Sequence, residues 1–269
     1  MENRKALTEI WVYPIKSLPG IRVSSAMVVE KGLQGDRRFM LVDENNTFMT
    51  QRKFPQMALF DISIDEQIIR VRSKSNDRLN TLFIGYETSS EERIKTFVWD
   101  DEVEVVEVSP ASSKWFSEAL RMHCKLVFFP EKNARRIDPQ YVKEDHHVSL
   151  ADGYPFLIIG KSSLTDLNQR VGYELSMKRF RPNFVFEGGA PYEEDEWHNF
   201  GVGLVRFAGV KPCSRCAITT VDPETGIKGE EPLRTLSTYR RRDGEVYFGQ
   251  NVIALNQGEI KQGDEIHLL

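Results

Sequence analysis

Apolar and polar residues alternate along most of the first hundred positions. The segments "LTEIWVYPI", "ALFDISID" and "IIRVRS" each keep a period near two before a polar or turn-forming cluster. That period belongs to strands with one buried face. In "RFMLVDENNTFMTQR" two apolar runs flank "ENN". Asparagine tolerates the positive φ of a tight turn, so a hairpin is expected there. "TFVWDDEVEVVEV" alternates again around a turn at Asp100 and Asp101. Several short strands with regular turn signals predict a barrel or sandwich rather than a parallel α/β sheet.

The period changes at "SPASSKWFSEALRM". Ser109 is a candidate cap, Pro110 suits the first helical position, and Trp115, Phe116, Ala119 and Leu120 make one apolar face. This helix is a natural boundary, dividing the chain into residues 1–118 and 119–269. Beyond it "KLVFF" and "PFLIIG" are short buried strands. "SSLTDLNQRVG" predicts a helix, with Ser163 and Asp166 at capping-box spacing and Gly172 as its stop. "RPNFVFEG", "VGLVRFAGV", "CAITTVD", "VYFGQNVIAL" and "GDEIHLL" predict further strands, and "PLRTLSTYR" a short helix. The acidic run "YEEDEW" reads as a solvated loop, or else as part of a substrate mouth. The fold class expected is therefore mainly β with a few helices, most simply a β-barrel in the second half.

Composition narrows the function. The chain has 269 residues and a net charge of −4, with no basic excess of the kind that nucleic-acid binders show. An anionic ligand would have to be held by a local cluster of basic groups. No apolar run approaches the roughly 20 residues that span a bilayer, and the amino terminus has no secretory pattern. Three cysteines make no disulfide framework. A reduced, cytoplasmic protein with no membrane and no nucleic acid among its partners is expected.

Two of those cysteines lie in "GVKPCSRCAITTVDPETG". A structural zinc site needs four ligands. Beyond Cys213 and Cys216 the chain offers Cys124, His123, His146, His147, His198 and His267, with no second pair at finger-like spacing. A redox dithiol normally opens a helix, whereas "AITTVD" is strand-like. Free cysteine is also among the most buried residue types, although Ser214 and Arg215 put polar groups between these two. The spacing alone leaves the three readings open.

The residues say more than the spacing. "PCSRCAITTVDPETG" followed by "EPLRTLSTYR" closely resembles the signature of the MOSC family, named after the carboxy-terminal domain of molybdenum cofactor sulfurase. "YPIKSLPGIRV", "GLQGDRRFMLVD" and "QRKFPQMALF" resemble the β-barrel domain that precedes MOSC in one branch. That branch includes the mitochondrial amidoxime reducing component and bacterial reductases of N-hydroxylated compounds. "FRPNFVFEGGAPYEEDEW" and "FGQNVIALNQGEIKQGDEIHLL" fit the same branch.

The resemblance implies a molybdenum cofactor, a pyranopterin whose dithiolene holds the metal together with one protein thiolate. The matching ligand, and the catalytic residue, is Cys216, with Cys213 a packed neighbour. The family's cofactor-binding positions match Lys16, Ser17, Arg38, Arg181, Asn183, Ser214, Arg215 and Asn251. Of the adjacent Arg37 and Arg38 only one is expected to point inward, and Arg38, which precedes the aromatic, is chosen. Gly153 and Tyr154 stand where mitochondrial members carry a Thr-Ser pair, and Asn251 replaces an aromatic residue. These positions come from both halves of the chain, so the cofactor is expected where the halves meet. Arg240 is a candidate supporting group.

The implied activity is reduction of small N-hydroxylated substrates, N–OH to N–H. With no cysteine after Cys216 the chain is expected to hold no iron–sulfur cluster, and it is expected to lack the mitochondrial members' anchor. A separate electron-donor protein is therefore expected. The alternative is a non-catalytic cofactor carrier, or a sulfur-transfer module with a persulfide on Cys216.

Overall fold

The computed structural model describes residues 4–65, 68–88 and 92–269. Strand β1 (Lys5–Val12) buries Leu7, Ile10 and Val12, with a register shift between Leu7 and Glu9, and pairs antiparallel with Phe184–Glu187. From there the ladder runs through Phe156–Gly160, Glu245–Ala254, Val205–Ser214, Asn199–Val202 and Glu265–Leu268, and returns to β1. Seven strands thus close into a barrel, which leaves no free edge in the ring. Six of them lie beyond residue 155, and β1 is the seventh. The mainly β architecture read from the sequence is the architecture observed.

The barrel core is aromatic. Phe207 packs against Phe156, Phe184 and Phe200 with ring centroids 5.6, 5.4 and 5.5 Å apart, and all four rings are fully buried. The edge-to-face pairs contribute beyond the area they bury.

The rest of the first half forms smaller antiparallel sheets. Phe39–Asp43, Cys124–Phe128, Asp101–Glu107 and Arg93–Val98 make one, and Phe60–Asp65, Ile68–Ser73 and Leu82–Ile84 another. Helix α1 (Pro110–Leu120) starts where expected, because the Ser109 side chain accepts from the Ser112 N–H. Among the described residues no helix is long and apolar enough to cross a membrane.

Four local expectations change. The turn after Asp43 forms, with the Asp43 carboxylate accepting from the Asn45 and Thr47 N–H groups and Asn46 at φ 56°. Its second strand does not form. Residues 47–52 keep only isolated bridges and then turn, as the Lys53 and Phe54 N–H groups donate to the Thr50 carbonyl. Helix α2 (Lys161–Val171) is capped at Gly160 and stops at Gly172 with φ 86°, so Ser163 is no cap. Ser163 instead donates to Glu194 at 2.8 Å.

The acidic run is the third change. Glu193–Glu196 is a 3-10 turn, with Glu194 fully buried against the Gly160 N–H and Ser163, and Asp195 paired with Arg240. Burial pushes the Glu194 carboxyl up to about 7, against those hydrogen bonds. Fourth, Arg240 is consumed by Asp195 and the Tyr247 carbonyl and stacks on Tyr192, so it supports this corner of the fold.

The barrel core gives a direct test. Phe207→Ala should cost about 3–5 kcal/mol, the usual range for deleting a buried aromatic ring. A urea melt would show it as a lowered midpoint at unchanged slope, and a loss under 1 kcal/mol would mean that the ring is not a keystone of the core.

Candidate functional site

The turn that follows β1 carries Lys16 and Ser17 to the barrel rim. It is tied to the neighbouring sheet, since the Lys16 N–H donates to the Phe39 carbonyl at 2.7 Å. Ser17, at φ 65°, then reverses the chain. The two residues open onto a cleft of roughly 1050 Å³, counting its open mouth. Arg181, Asn183, Gly153, Tyr154, Ser214, Arg215, Cys216 and Asn251 line the same cleft, as does Cys213. Of the site residues expected from the sequence, only Arg38 lies elsewhere.

Arg38 is buried and pairs with Glu131 at 2.6 Å, while Arg37 takes the place expected of it in the cleft wall. The cause is local. Arg37 has φ 49° at the end of the Gly35–Asp36 turn and its N–H donates to the Tyr13 carbonyl, so it lies outside the strand that begins at Phe39. Arg37 is then fixed by Asp36 at 2.5 Å and by Asn183 Oδ1 at 3.0 Å.

Six cationic side chains line the cleft: Lys16, Arg37, Arg52, Arg181, Lys211 and Arg215. Asp152 is the one carboxylate in the same wall. For a chain of net charge −4 this is a marked local excess. Backbone carbonyls hold most of these groups in place. Lys16 Nζ donates to the Leu150 carbonyl at 2.7 Å, Arg181 Nη1 to that of Leu18 at 2.6 Å, and Arg215 Nη2 to that of Phe180 at 2.7 Å. The Arg37 and Arg181 guanidinium groups each lie 4.4 Å from the centre of the Tyr13 ring. Cations over an aromatic face are attracted by its quadrupole.

Burial lowers Lys16 from its ordinary 10.5 to about 8, with the Asp152 carboxylate at 2.5 Å opposing the shift. Burial likewise takes Arg181 down to about 10. Partial desolvation would raise the solvent-exposed Asp152 carboxyl, but Lys16, Arg52 and hydrogen bonding from Trp99 outweigh it and hold the group well below the usual carboxylate range. The carboxylate is therefore ionised throughout the physiological range.

Cys216 does not lie on a strand. The strand Val205–Ser214 ends two residues before it, and Cys216 caps the 3-10 turn Ala217–Thr220. The threonines that suggested a strand bend the chain instead. Thr219 Oγ1 donates to the Cys216 carbonyl at 3.0 Å and Thr220 Oγ1 to that of Ala217 at 2.8 Å. Such local bonds compete with strand pairing. The turn leaves the thiol in the cleft wall, where Arg52 Nη1 donates to its sulfur at 3.4 Å. The Cys213 sulfur accepts from Arg215 Nη1 at 3.0 Å and is half-buried, packed against the cluster that includes Leu157, Phe180 and Phe248. Cys124 is the buried structural thiol, pushed up to about 11 by burial.

Arg37, Arg52, Asp152 and Lys211 were not expected in the cleft. Lys211 had a readable signal, since it lies two residues before Cys213 and alternate strand residues share a face. Arg52 had none, because its segment reads as a strand and folds as a turn.

Three features bear on what the cleft holds. The Arg215 Nε is buried without a hydrogen-bond partner. A side chain added at Gly153 would meet nothing within 4 Å, so the backbone there is open to a ligand. Among the described residues no group of three or more His, Cys, Asp or Glu is gathered to hold a metal ion. A metal bound at Cys216 would therefore bring most of its own ligands.

Comparison with known proteins adds a second line. Residues 4–123 match the MOSC N-terminal beta barrel domain and residues 145–267 the MOSC domain. The mitochondrial amidoxime-reducing component 1 of Homo sapiens is 31% identical over 98% of this chain and 82% of its own length. The mitochondrial amidoxime reducing component 2 of Bos taurus is 31% identical over 97% of this chain and 82% of its own. The molybdenum cofactor sulfurase of Oryza sativa subsp. japonica is 28% identical over 96% of this chain, which corresponds to 33% of that longer protein.

The depressed Lys16 value has two consequences of opposite sign. Because the folded value lies below the unfolded one, the buried ammonium opposes folding below about pH 8, and the penalty is relieved between there and 10.5. Anion binding runs the other way and should weaken as Lys16 loses its proton. Titrating the protein with inorganic pyrophosphate should show affinity falling from pH 7 to pH 9.5, with a much flatter profile in Lys16→Met. Equal profiles in both proteins would remove Lys16 from the anion site.

Proposed function

This chain belongs to the MOSC family, and from that premise we propose that the cleft holds a molybdenum cofactor and that the protein reduces small N-hydroxylated compounds. The observation that carries the proposal is the convergence of six cations on a wall that ends in the Cys216 thiol. A phosphorylated pterin asks for charge-assisted donors at one end and a soft ligand at the other.

The residues present fit such a group. Lys16, Arg37, Arg181 and Arg215 would hold the phosphate, and the unpartnered Arg215 Nε is a donor with nothing else to bond. Asn183, Asn251, Tyr154, Ser214 and the open backbone at Gly153 would meet the polar pterin edges. Asn183 is already anchored, donating to the Trp11 carbonyl at 3.1 Å, so it offers a fixed edge. Cys216 would supply the soft sulfur ligand to the metal. When bound, the cofactor supplies the two-electron chemistry that removes the hydroxyl oxygen and releases it as water.

The chain's own groups bind, orient and keep the thiol at a fixed place. The 3-10 turn sets where the Cys216 sulfur sits. The carbonyls of Leu150, Leu18 and Phe180 hold three of the cations that would otherwise swing toward solvent. Electrons come from a separate donor protein in this reading. The names of the relatives, amidoxime reducing components, support the substrate class.

The test is direct. Protein made in a cofactor-competent host should contain molybdenum and reduce benzamidoxime with reduced benzyl viologen as donor. Cys216→Ala should abolish the reduction. Lys16→Ala should lower molybdenum content by about tenfold or more, as expected for a lost charge-assisted bond, with an unchanged far-ultraviolet circular dichroism spectrum. Protein without molybdenum would overturn the proposal. Molybdenum bound without reduction would favour a cofactor carrier or sulfur-transfer role, the second reading that kinship with molybdenum cofactor sulfurase supports.

A further inference from the structure

Arg52 is the cationic residue of the cleft that touches the Cys216 sulfur. It arrives there because residues 47–52 leave the ladder. A guanidinium has five N–H donors. Among the described residues, the bond to Cys216 is the one hydrogen bond that Arg52 makes. Its remaining donors face a cleft, beside the thiol.

Arg52 is also braced by an aromatic ring. Its guanidinium carbon lies 4.1 Å from the centre of the Trp99 ring, and Phe48 meets the same indole edge-on at 5.5 Å. Trp99 sits at the tip of the hairpin between Arg93–Val98 and Asp101–Glu107, with φ 59°. A bulky residue in the left-handed region is uncommon, and such conformations persist where the surroundings over-determine them. Arg135 provides that bracing. Its guanidinium donates to Asp101 Oδ2 at 2.7 Å and to the carbonyls of Ser149, Ala151 and Asp152 at 3.1, 2.5 and 2.7 Å. The hairpin tip is thereby fastened to the loop that carries Asp152 and Gly153. Yet Trp99 remains 45% exposed, an aromatic residue against two members of the cleft wall, Arg52 and Asp152.

We infer that Arg52 and Trp99 form the substrate-recognition wall of this site, Arg52 donating to the hydroxyl oxygen of an N–OH group beside Cys216 and Trp99 receiving the aryl part of planar N-hydroxylated amidines. The inference rests on the reading of the cleft as a reductase site. An amidoxime is planar and neutral and offers its oxygen as an acceptor, which suits a fixed guanidinium. Its aryl group gains by stacking on the indole. Reduction converts it to an amidinium, and a cation formed beside Arg52 is repelled, which favours product release.

Two readouts test this on the cofactor-loaded protein. Without an electron donor nothing turns over, so benzamidoxime binding can be followed by quenching of tryptophan fluorescence. Trp99→Leu should lose most of that signal and weaken binding about tenfold, the upper end for an aromatic pair. With reduced benzyl viologen, the ratio of kcat/KM for benzamidoxime over hydroxylamine should fall by a similar factor, through KM rather than kcat. Arg52→Met should lower kcat/KM for both substrates about thirtyfold at full molybdenum content, and Arg52→Lys should recover part of the loss. Equal losses on both substrates in Trp99→Leu, or loss of molybdenum in Arg52→Met, would overturn the inference, the latter by making Arg52 part of the cofactor cradle. Wild-type levels of reduction in both variants would sink the wall alone, whereas a wild-type protein without molybdenum would sink the reading beneath it.

Discussion

Six cations and one carboxylate crowd the wall of a single cleft, and the surrounding structure is arranged to sustain that crowding. Like charges in a confined space repel, and desolvation adds to the cost. The fold offsets it with dipoles as well as with the Asp36 and Asp152 carboxylates. Backbone carbonyls accept from Lys16, Arg181 and Arg215, and the face of Tyr13 lies against Arg37 and Arg181. Lys16 records the residual strain, held near 8. A bound polyanion would relieve that cost, so the cleft is preorganised toward negative charge.

The cradle depends on barrel closure. Strand β1 fills the gap between Phe184–Glu187 and Glu265–Leu268, and the turn that follows it delivers Lys16 and Ser17 opposite Arg181 and Cys216. A site assembled this way joins folding to binding: if β1 leaves the barrel, the cradle loses one wall. The Phe207 cluster inside the barrel and the buried Glu194 behind helix α2 serve the same end, since they fix strands whose ends carry the cleft residues.

Much of this was legible in the chain. Alternation gave the strands, and the "CSRC" and "RPN" motifs led to side chains that share one cleft. The failures have physical causes. Arg38 was chosen because it precedes an aromatic, yet Arg37, at the end of the turn with φ 49°, reaches the cleft, and Arg38 is drawn to Glu131. "AITTVD" looked like a strand by propensity, but two threonine hydroxyls bond back to the chain and close a 3-10 turn. "YEEDEW" looked solvated because the Gly160 N–H and Ser163 that receive Glu194 lie some thirty residues earlier in the sequence. The pairing of β1 with strands beyond residue 155 has no local signal at all.

The central claim is that the cation-lined cleft presents Cys216 as the thiolate of a bound molybdenum centre. X-ray absorption at the molybdenum edge, on loaded wild-type and Cys216→Ser proteins matched for metal content, addresses it most directly. The account predicts one fewer sulfur neighbour at the metal in the variant, with the remaining sulfur shell unchanged. An identical sulfur shell in both proteins would contradict it.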